Sequence, residues 1–321
     1  MPTPELSVII PTYNAETHIG RCLTGLQNQT FEDFEIVIVD DNSSDATRDI
    51  IEEFEELDIT LIHRTDETGI TSAINTGIAN AKSDLIARHD ADDWSHPDRF
   101  KKQVQYMKAN PEVALLGTGA NIVDSDGKKI ETRDVMEEPS ENDLIEHNHY
   151  VHGSVIMRKE ALKEVGFYDE RFKTTEDYDL WLRLAKLYPI RNINEPLYNF
   201  RKHDGSIYAK KLEEVKLYGI LAILRAENPD DSLVEKINQT GYEYIYEFLS
   251  TSKKVKFHKE MAKESIRYGE LSQGRSHAVK LLKKDPKSIM GYLLIILSFM
   301  GKKGSNIVIT KYRKHIWNRK I

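Results

Sequence analysis

Short apolar runs alternate with amphipathic stretches through the first ninety or so residues of the chain. Residues 6–11 read as a largely apolar strand buried on both faces, and residues 19–29 place Ile19, Cys22, Leu23 and Leu26 on one helical face. A second apolar run, residues 34–39, ends at Asp40-Asp41, after which Ser44 or Asp45 is positioned to cap a helix through Ile50, Ile51 and Phe54. Residues 60–63, 71–81 and 85–87 continue the series as strand, helix and strand. Strands separated by helices of this length predict a parallel sheet in an α/β fold, and right-handed crossovers make it doubly wound and Rossmann-like.

Beyond residue 111 the rhythm changes. Residues 113–117 and 130–133 read as further strands around the turn Asp124-Ser125-Asp126-Gly127. Residues 152–158 lead into a helix over 159–165 that Gly166 stops, and Thr174-Thr175-Glu176-Asp177 opens another, with Leu180, Trp181, Leu184 and Ala185 on one face. From about residue 210 only helical patterns remain, broken at Asn228-Pro229 and Asp285-Pro286. The expected division is an α/β domain over 1–208 and a helical, basic region over 209–321. Residues 260–300 resemble a single helical-hairpin unit, but one copy makes no repeat array.

Composition narrows the classes. With 321 residues, 40% apolar and 30% charged, the chain is an ordinary globular protein with a sizeable core. Cys22 is the single cysteine, which excludes an internal disulfide and a cysteine-based zinc site and suits a reducing, cytoplasmic setting. No leader pattern precedes residue 6, and the apolar run 290–300 is too short to span a bilayer. The net charge of −7 conceals a split: residues 250–321 carry 18 Lys and Arg against 4 Asp and Glu, about +14, leaving the remainder near −21.

The candidate chemistry lies at strand ends. Arg88-His89-Asp90-Ala91-Asp92-Asp93 places three carboxylates in four residues directly after the apolar run 85–87. In open α/β folds that carboxyl edge is where ligands bind. Mutual repulsion among such carboxylates is commonly relieved by Mg²⁺ or Mn²⁺, often shared with substrate phosphates. A solvated acidic turn capping the next helix is the plain alternative. Neither G-x-G-x-x-G after the first strand nor a G-x-x-x-x-G-K-[ST] loop occurs, so dinucleotide and P-loop modes are disfavoured.

Five motifs then occur in order: Ser7-Val8-Ile9-Ile10-Pro11-Thr12-Tyr13-Asn14; Val39-Asp40-Asp41-Asn42-Ser43-Ser44-Asp45; Asn75-Thr76-Gly77; Asp90-Ala91-Asp92-Asp93 with Pro97 following; and Glu176-Asp177-Tyr178-Asp179-Leu180-Trp181-Leu182-Arg183. Together they resemble a family 2 glycosyltransferase of the GT-A fold over roughly residues 5–205. The resemblance implies an inverting transferase that moves a sugar from a nucleotide-diphospho-sugar to a glycan or lipid-linked hydroxyl, with Mn²⁺ or Mg²⁺ as cofactor. It implies donor binding by Pro11, Tyr13, Asp41 and Asp90, metal binding by Asp92, Asp90 and His203, and general-base catalysis by Asp177. The chemistry agrees. Tyr13 offers a flat ring for a base, and an ionised Asp41 can accept from uracil N3, favouring UDP- or dTDP-sugars. A carboxylate at Asp177 can take the proton of an acceptor hydroxyl. Each has a plain counterpart: Asp41 as a helix cap, and Glu176 and Asp177 as ordinary first-turn acids. Arg88 is expected to pair with the carboxylates, and His152 to shape the acceptor pocket with Gly153 and Ser154.

Past residue 205 the resemblance fades. The apolar segment 290–300 followed by Lys302, Lys303, Lys311, Arg313, Lys314, Arg319 and Lys320 suits a peripheral position on an anionic membrane surface, at roughly 1 kcal/mol per basic residue. A helical subdomain with a solvated basic face is the competing reading. Nucleic-acid binding rests on charge alone and lacks any motif. Two further alternatives are a sugar nucleotidylyltransferase, whose Gly-rich basic loop is missing after the first strand, and a degenerate transferase-like membrane assembly partner, against which intact Asp92 and Asp177 argue.

Overall fold

The computed structural model describes residues 3–66, 69–202 and 211–301. Strands β1 (Leu6–Thr12), β2 (Phe34–Asp40), β3 (Ile59–His63) and β4 (Leu85–Arg88) are parallel and lie in the order β3-β2-β1-β4. Alternate residues of these strands face opposite layers. Val8, Ile10, Ile36 and Ile38 join a core with Cys22, Leu23 and Leu26 of α1 (Ile19–Gln27), Ile51 of α2 (Thr47–Glu52) and Phe100, Val104 and Met107 of α4 (Arg99–Ala109). Ile9 and Val39 face the other way, toward α3 (Ile70–Asn80). There the packing is so close that a Cβ on Gly77 would lie 2.4 Å from Ile9 Cγ2, so the glycine sets the helix-to-sheet distance. Helices on both faces make the sheet doubly wound, and strand order reverses beside β1, the position at which such sheets bind ligands.

The sheet continues through β4-β8-β6-β9-β5, with β7 on β6: β5 (Trp94–Ser95), β6 (Leu115–Val123), β7 (Lys129–Arg133), β8 (Ile156–Arg158) and β9 (Ile190–Arg201). β8 runs antiparallel to β4 and β6, whereas β9 runs parallel to β6. The pattern of hydrophobic positions did not predict β9, because Pro196 interrupts it. Pro196 sits opposite Gly119, at a register shift where the ladder is already broken and the missing N–H has no consequence. Helices α5 (Glu141–Glu146), α6 (Lys159–Val165) and α7 (Glu176–Leu187) pack around this half, and Gly166, at φ +92°, ends α6 as its position predicts.

The remaining elements are helical: α8 (Leu212–Glu227), α9 (Ser232–Thr240), a 3₁₀ turn (Tyr242–Phe248), α10 (Thr251–Tyr268), α11 (Leu271–Lys284) and α12 (Ile289–Leu297). The chain divides into one compact unit of Met1–His203 with Ala222–Pro229, and a second of Asp204–Leu221 with Asp230–Ile321. Within the second unit Ala262, Ile266, Ala278, Leu294 and Leu297 form a small core joining α10, α11 and α12. Among the described residues, no helix is long and apolar enough to cross a membrane.

Candidate active site

The turns after β1 and β2 are bolted together. Asp41 N–H donates to Thr12 O at 2.9 Å, Asn14 N–H to Ser43 Oγ at 2.9 Å, Ser44 N–H to Asn14 Oδ1 at 2.9 Å, and Ala15 N–H to Thr47 Oγ1 at 2.7 Å. Asn14 and Asn42 hold left-handed backbone conformations, φ +47° and +71°, which asparagine tolerates better than most residues. Pro11 is buried opposite Val39, and Tyr13, on the turn itself, is 51% exposed. Asp41 does not cap α2: its Oδ2 accepts from Gly69 N–H at 3.0 Å, and Arg64 Nε lies 3.6 Å from its Oδ1. Asp45 instead accepts from Thr47 N–H at 3.0 Å, at the start of α2. Asp40 is spent on His63 Nδ1, at 3.0 Å.

The acidic loop after β4 is a built structure rather than a solvated turn. Beneath it lie two fully buried guanidinium groups. Arg88 donates to Asp90 Oδ1 at 2.7 Å and to the His89 carbonyl. Arg99 donates to the Arg88 carbonyl at 3.0 Å, to Ser95 Oγ at 3.0 Å and to Gln103 Oε1 at 3.0 Å. Burial works most strongly to raise the Asp90 carboxyl, but the Arg88 charge and hydrogen bond, together with His152 and His89, hold the group below its ordinary value. His89, buried and close to Arg99, is held down to about 3 and is neutral. Asp93 is buried and accepts the Arg201 N–H at 2.7 Å, so it ties the loop to β9 rather than capping α4. Burial, with the Asp92 and Asp90 charges, pushes Asp93 well above the carboxylate range.

Across from this loop stand the 3₁₀ turn His152–Ser154 and the start of α7. Gly153 is required by the contact: a Cβ there would fall 2.1 Å from the Tyr198 hydroxyl and 2.6 Å from Asp90 Oδ2. His152 Nε2 is 3.0 Å from the Tyr168 hydroxyl, and its Nδ1 is 4.0 Å from Glu176 Oε1. Burial, reinforced by Arg88, holds His152 down to about 4 against the opposing pull of Asp177 and Asp90. Burial and the adjacent Asp177 push Glu176 up to about 7. Thr175, which precedes the pair, sits at φ +61°; a β-branched residue held there costs about 1–3 kcal/mol and aims the first turn of α7.

The five motifs thus converge, with divided duties. The Asp90 loop and the start of α7 both approach the His152–Ser154 turn, and Tyr13 and Asp41 lie at neighbouring strand ends. Asn75 is an anchor: its side chain donates to the Tyr168 carbonyl at 2.9 Å and accepts the Tyr168 N–H at 3.2 Å. Asp179 is committed to Arg183 and Arg225, at 2.8 and 3.0 Å. Ser154 accepts the Thr118 N–H at 3.1 Å and holds β6. Sequence reasoning missed Arg99, Tyr168, Tyr198 and the special environment of Glu176, whose roles arise from contacts remote in sequence. His203 lies outside the described residues. Among the described residues no three or more His, Cys, Asp or Glu side chains gather as a metal cage. The donor set nevertheless fits a hard divalent cation shared with a ligand: Asp90 and Asp92 are half-buried carboxylates of one loop, and Arg88 engages only Oδ1 of Asp90.

Such a sheet, with carboxylates gathered where strand order reverses, defines a GT-A glycosyltransferase fold. Solved structures agree: Staphylococcus aureus TarS 1–349 in complex with UDP-GlcNAc aligns with a TM-score of 0.58 at 18% identity, covering 97% of this chain and 92% of that one. The model of "Glycosyl transferase family 2" matches residues 7–166. The amylovoran biosynthesis glycosyltransferase AmsE of Erwinia amylovora is 32% identical over 235 residues, 68% of this chain and 86% of that protein. The O-antigen biosynthesis glycosyltransferase WbnJ of Escherichia coli is 31% identical over 211 residues, 63% of this chain and 81% of that protein. The chain belongs to glycosyl transferase family 2 and is a glycosyltransferase.

Proposed function

We propose that the protein transfers a sugar, with inversion, from a UDP- or dTDP-sugar to a hydroxyl of a growing polysaccharide or lipid-linked glycan. The observation that carries this reading is the close approach of the Asp90 loop and the start of α7 to one turn: Gly153 faces Asp90 Oδ2, and His152 Nδ1 lies 4.0 Å from Glu176 Oε1, next to Asp177. Tyr13 stacks on the pyrimidine beside Pro11, and Asp41, kept in place by Gly69 N–H, accepts from the base. Asp90 holds the ribose side of the donor. A divalent cation at Asp92, with Asp90, would neutralise charge on the departing β-phosphate oxygen. Asp177 takes the acceptor proton while the hydroxyl oxygen bonds the anomeric carbon and the bond to the diphosphate breaks. Neutral His152, bonded to Tyr168, shapes the wall of the site without adding charge. A uridine donor draws support from the UDP-GlcNAc complex of the TarS neighbour, and a polysaccharide product from the likeness to the amylovoran and O-antigen biosynthesis glycosyltransferases AmsE and WbnJ.

A donor screen tests the reading. UDP-, dTDP- and GDP-sugars are offered with Mn²⁺, Mg²⁺ or a chelator, to the natural protein and to Asp92→Ala. The expected result is metal-dependent binding of a uridine or thymidine donor, weakened at least about a hundredfold in Asp92→Ala. Tight, metal-independent GDP-sugar binding would overturn the donor and metal assignments. Absence of any donor binding by folded protein would favour a non-catalytic assembly partner.

A further inference from the structure

Helix α12 is apolar on every side, yet only part of it is covered. Gly291, Leu294 and Leu297 face the core shared with α10 and α11, while Ile289 (85% exposed), Tyr292 and Ile296 (60%) form an outward stripe at helical spacing, and Phe299 (67%) and Met300, just past the helix end, add exposed apolar surface. Water alone gives no reason for such a stripe, and contiguous exposed apolar patches of this kind mark interaction sites.

Cations frame the stripe. Arg275 stacks over Phe299 with its Cζ 3.7 Å from the ring centroid and donates to Ser298 Oγ at 3.1 Å. Exposed Lys280, Lys283, Lys284 and Lys287 line the end of α11 and the turn into α12, where the Tyr292 hydroxyl donates to the Pro286 carbonyl at 3.2 Å. Lys302 and Lys303 follow in sequence, in a region of about +14 within a chain of −7 overall. An exposed apolar stripe with Arg275 stacked on its Phe299 end and exposed lysines on the preceding helix end and turn matches a surface with acyl chains below and negative charge above. A second copy of this chain would bring like charges of the same basic region together. We propose that α12 is an interfacial docking element: its outward stripe lies in the plane of an anionic lipid surface, with the surrounding lysines and Arg275 at headgroup level. The proposal stands independently of the donor reading.

Flotation of the full chain with vesicles tests it. Phosphatidylcholine vesicles with and without phosphatidylglycerol are compared at low and high salt, using the natural chain, Ile296→Glu/Phe299→Glu, and Lys283→Glu/Lys287→Glu. All four positions are exposed, so the melting temperature is the control for folding. The expected result is binding to anionic vesicles at least about tenfold tighter than to neutral ones, with a comparable loss in either double variant and at high salt. Failure of the natural chain to float with anionic vesicles, or equal flotation of the apolar double variant, would overturn the proposal. A concentration-dependent dimer that the apolar variant abolishes, without vesicle binding, would assign the stripe to a second copy instead and likewise overturn it.

Discussion

Gly153 shows how little room the site leaves at the residue scale. It faces the Tyr198 hydroxyl and Asp90 Oδ2 where a Cβ would overlap both, so Gly153→Ala must displace a carboxylate held in line by Arg88. Displacements of about an ångström in a catalytic constellation cost on the order of a hundredfold in rate. We expect kcat of Gly153→Ala to fall by about that factor, with circular dichroism unchanged, and an unimpaired kcat would show that Asp90 tolerates movement. At this scale the sequence was legible wherever the informative residues are neighbours along the chain. Asp90, Asp92 and Asp93 cluster visibly, and Asp177 follows from a motif. Nothing local distinguishes Glu176, pushed to about 7 by burial and Asp177, or Arg99, held to about 10 by burial, because both depend on side chains brought from elsewhere.

At the scale of elements, the parallel half was readable because its strands are continuous apolar runs with helices between them. β9 was not, since Pro196 masks a strand whose partner has a matching break at Gly119. The α7 start was readable as a helix opening, but the strain at Thr175 was not, since nothing in Thr174-Thr175 announces a positive φ. In the helical unit, α10 and α11 share a buried pair: His258 Nδ1 lies 3.0 Å from His277 Nδ1, with the Tyr246 hydroxyl 2.8 Å from His258 Nε2. Burial and nearby lysines hold His258 down to about 4, and burial, His258 and Lys280 do the same to His277. Above the unfolded value near 6.5 both states are neutral and the pair leaves stability independent of pH. As pH falls from about 6.5 toward 4, the unfolded chain takes up protons that the folded unit refuses, so stability is lost across that window. Thermal melts at about pH 7 and pH 5 should show a drop in Tm that His258→Gln/His277→Gln reduces. An equal drop in both proteins would mean that the pair is not the acid-sensitive element.

At the scale of the whole molecule, the charge split between an acidic body and a basic end was plain from the sequence, as was the change from alternating to purely helical pattern. The course of the division was not. Ala222–Pro229, the last part of α8 and the residues after it, groups with the first unit, where Arg225 pairs with Asp169 and Asp179 at 2.9 and 3.0 Å. No periodicity in that helix could signal so distant a partner. The same long-range pairing fixes the helix that begins with Glu176 and Asp177, so the catalytic proposal rests on contacts across the full length of the first unit.

The most direct measurement is the separation of donor binding from turnover in Asp177→Asn, in a single preparation supplied with nucleotide-sugar, cation and acceptor. The account predicts donor affinity within about twofold of the natural enzyme and a kcat lower by about 10²–10⁴. Retention of near-natural kcat in Asp177→Asn would contradict it.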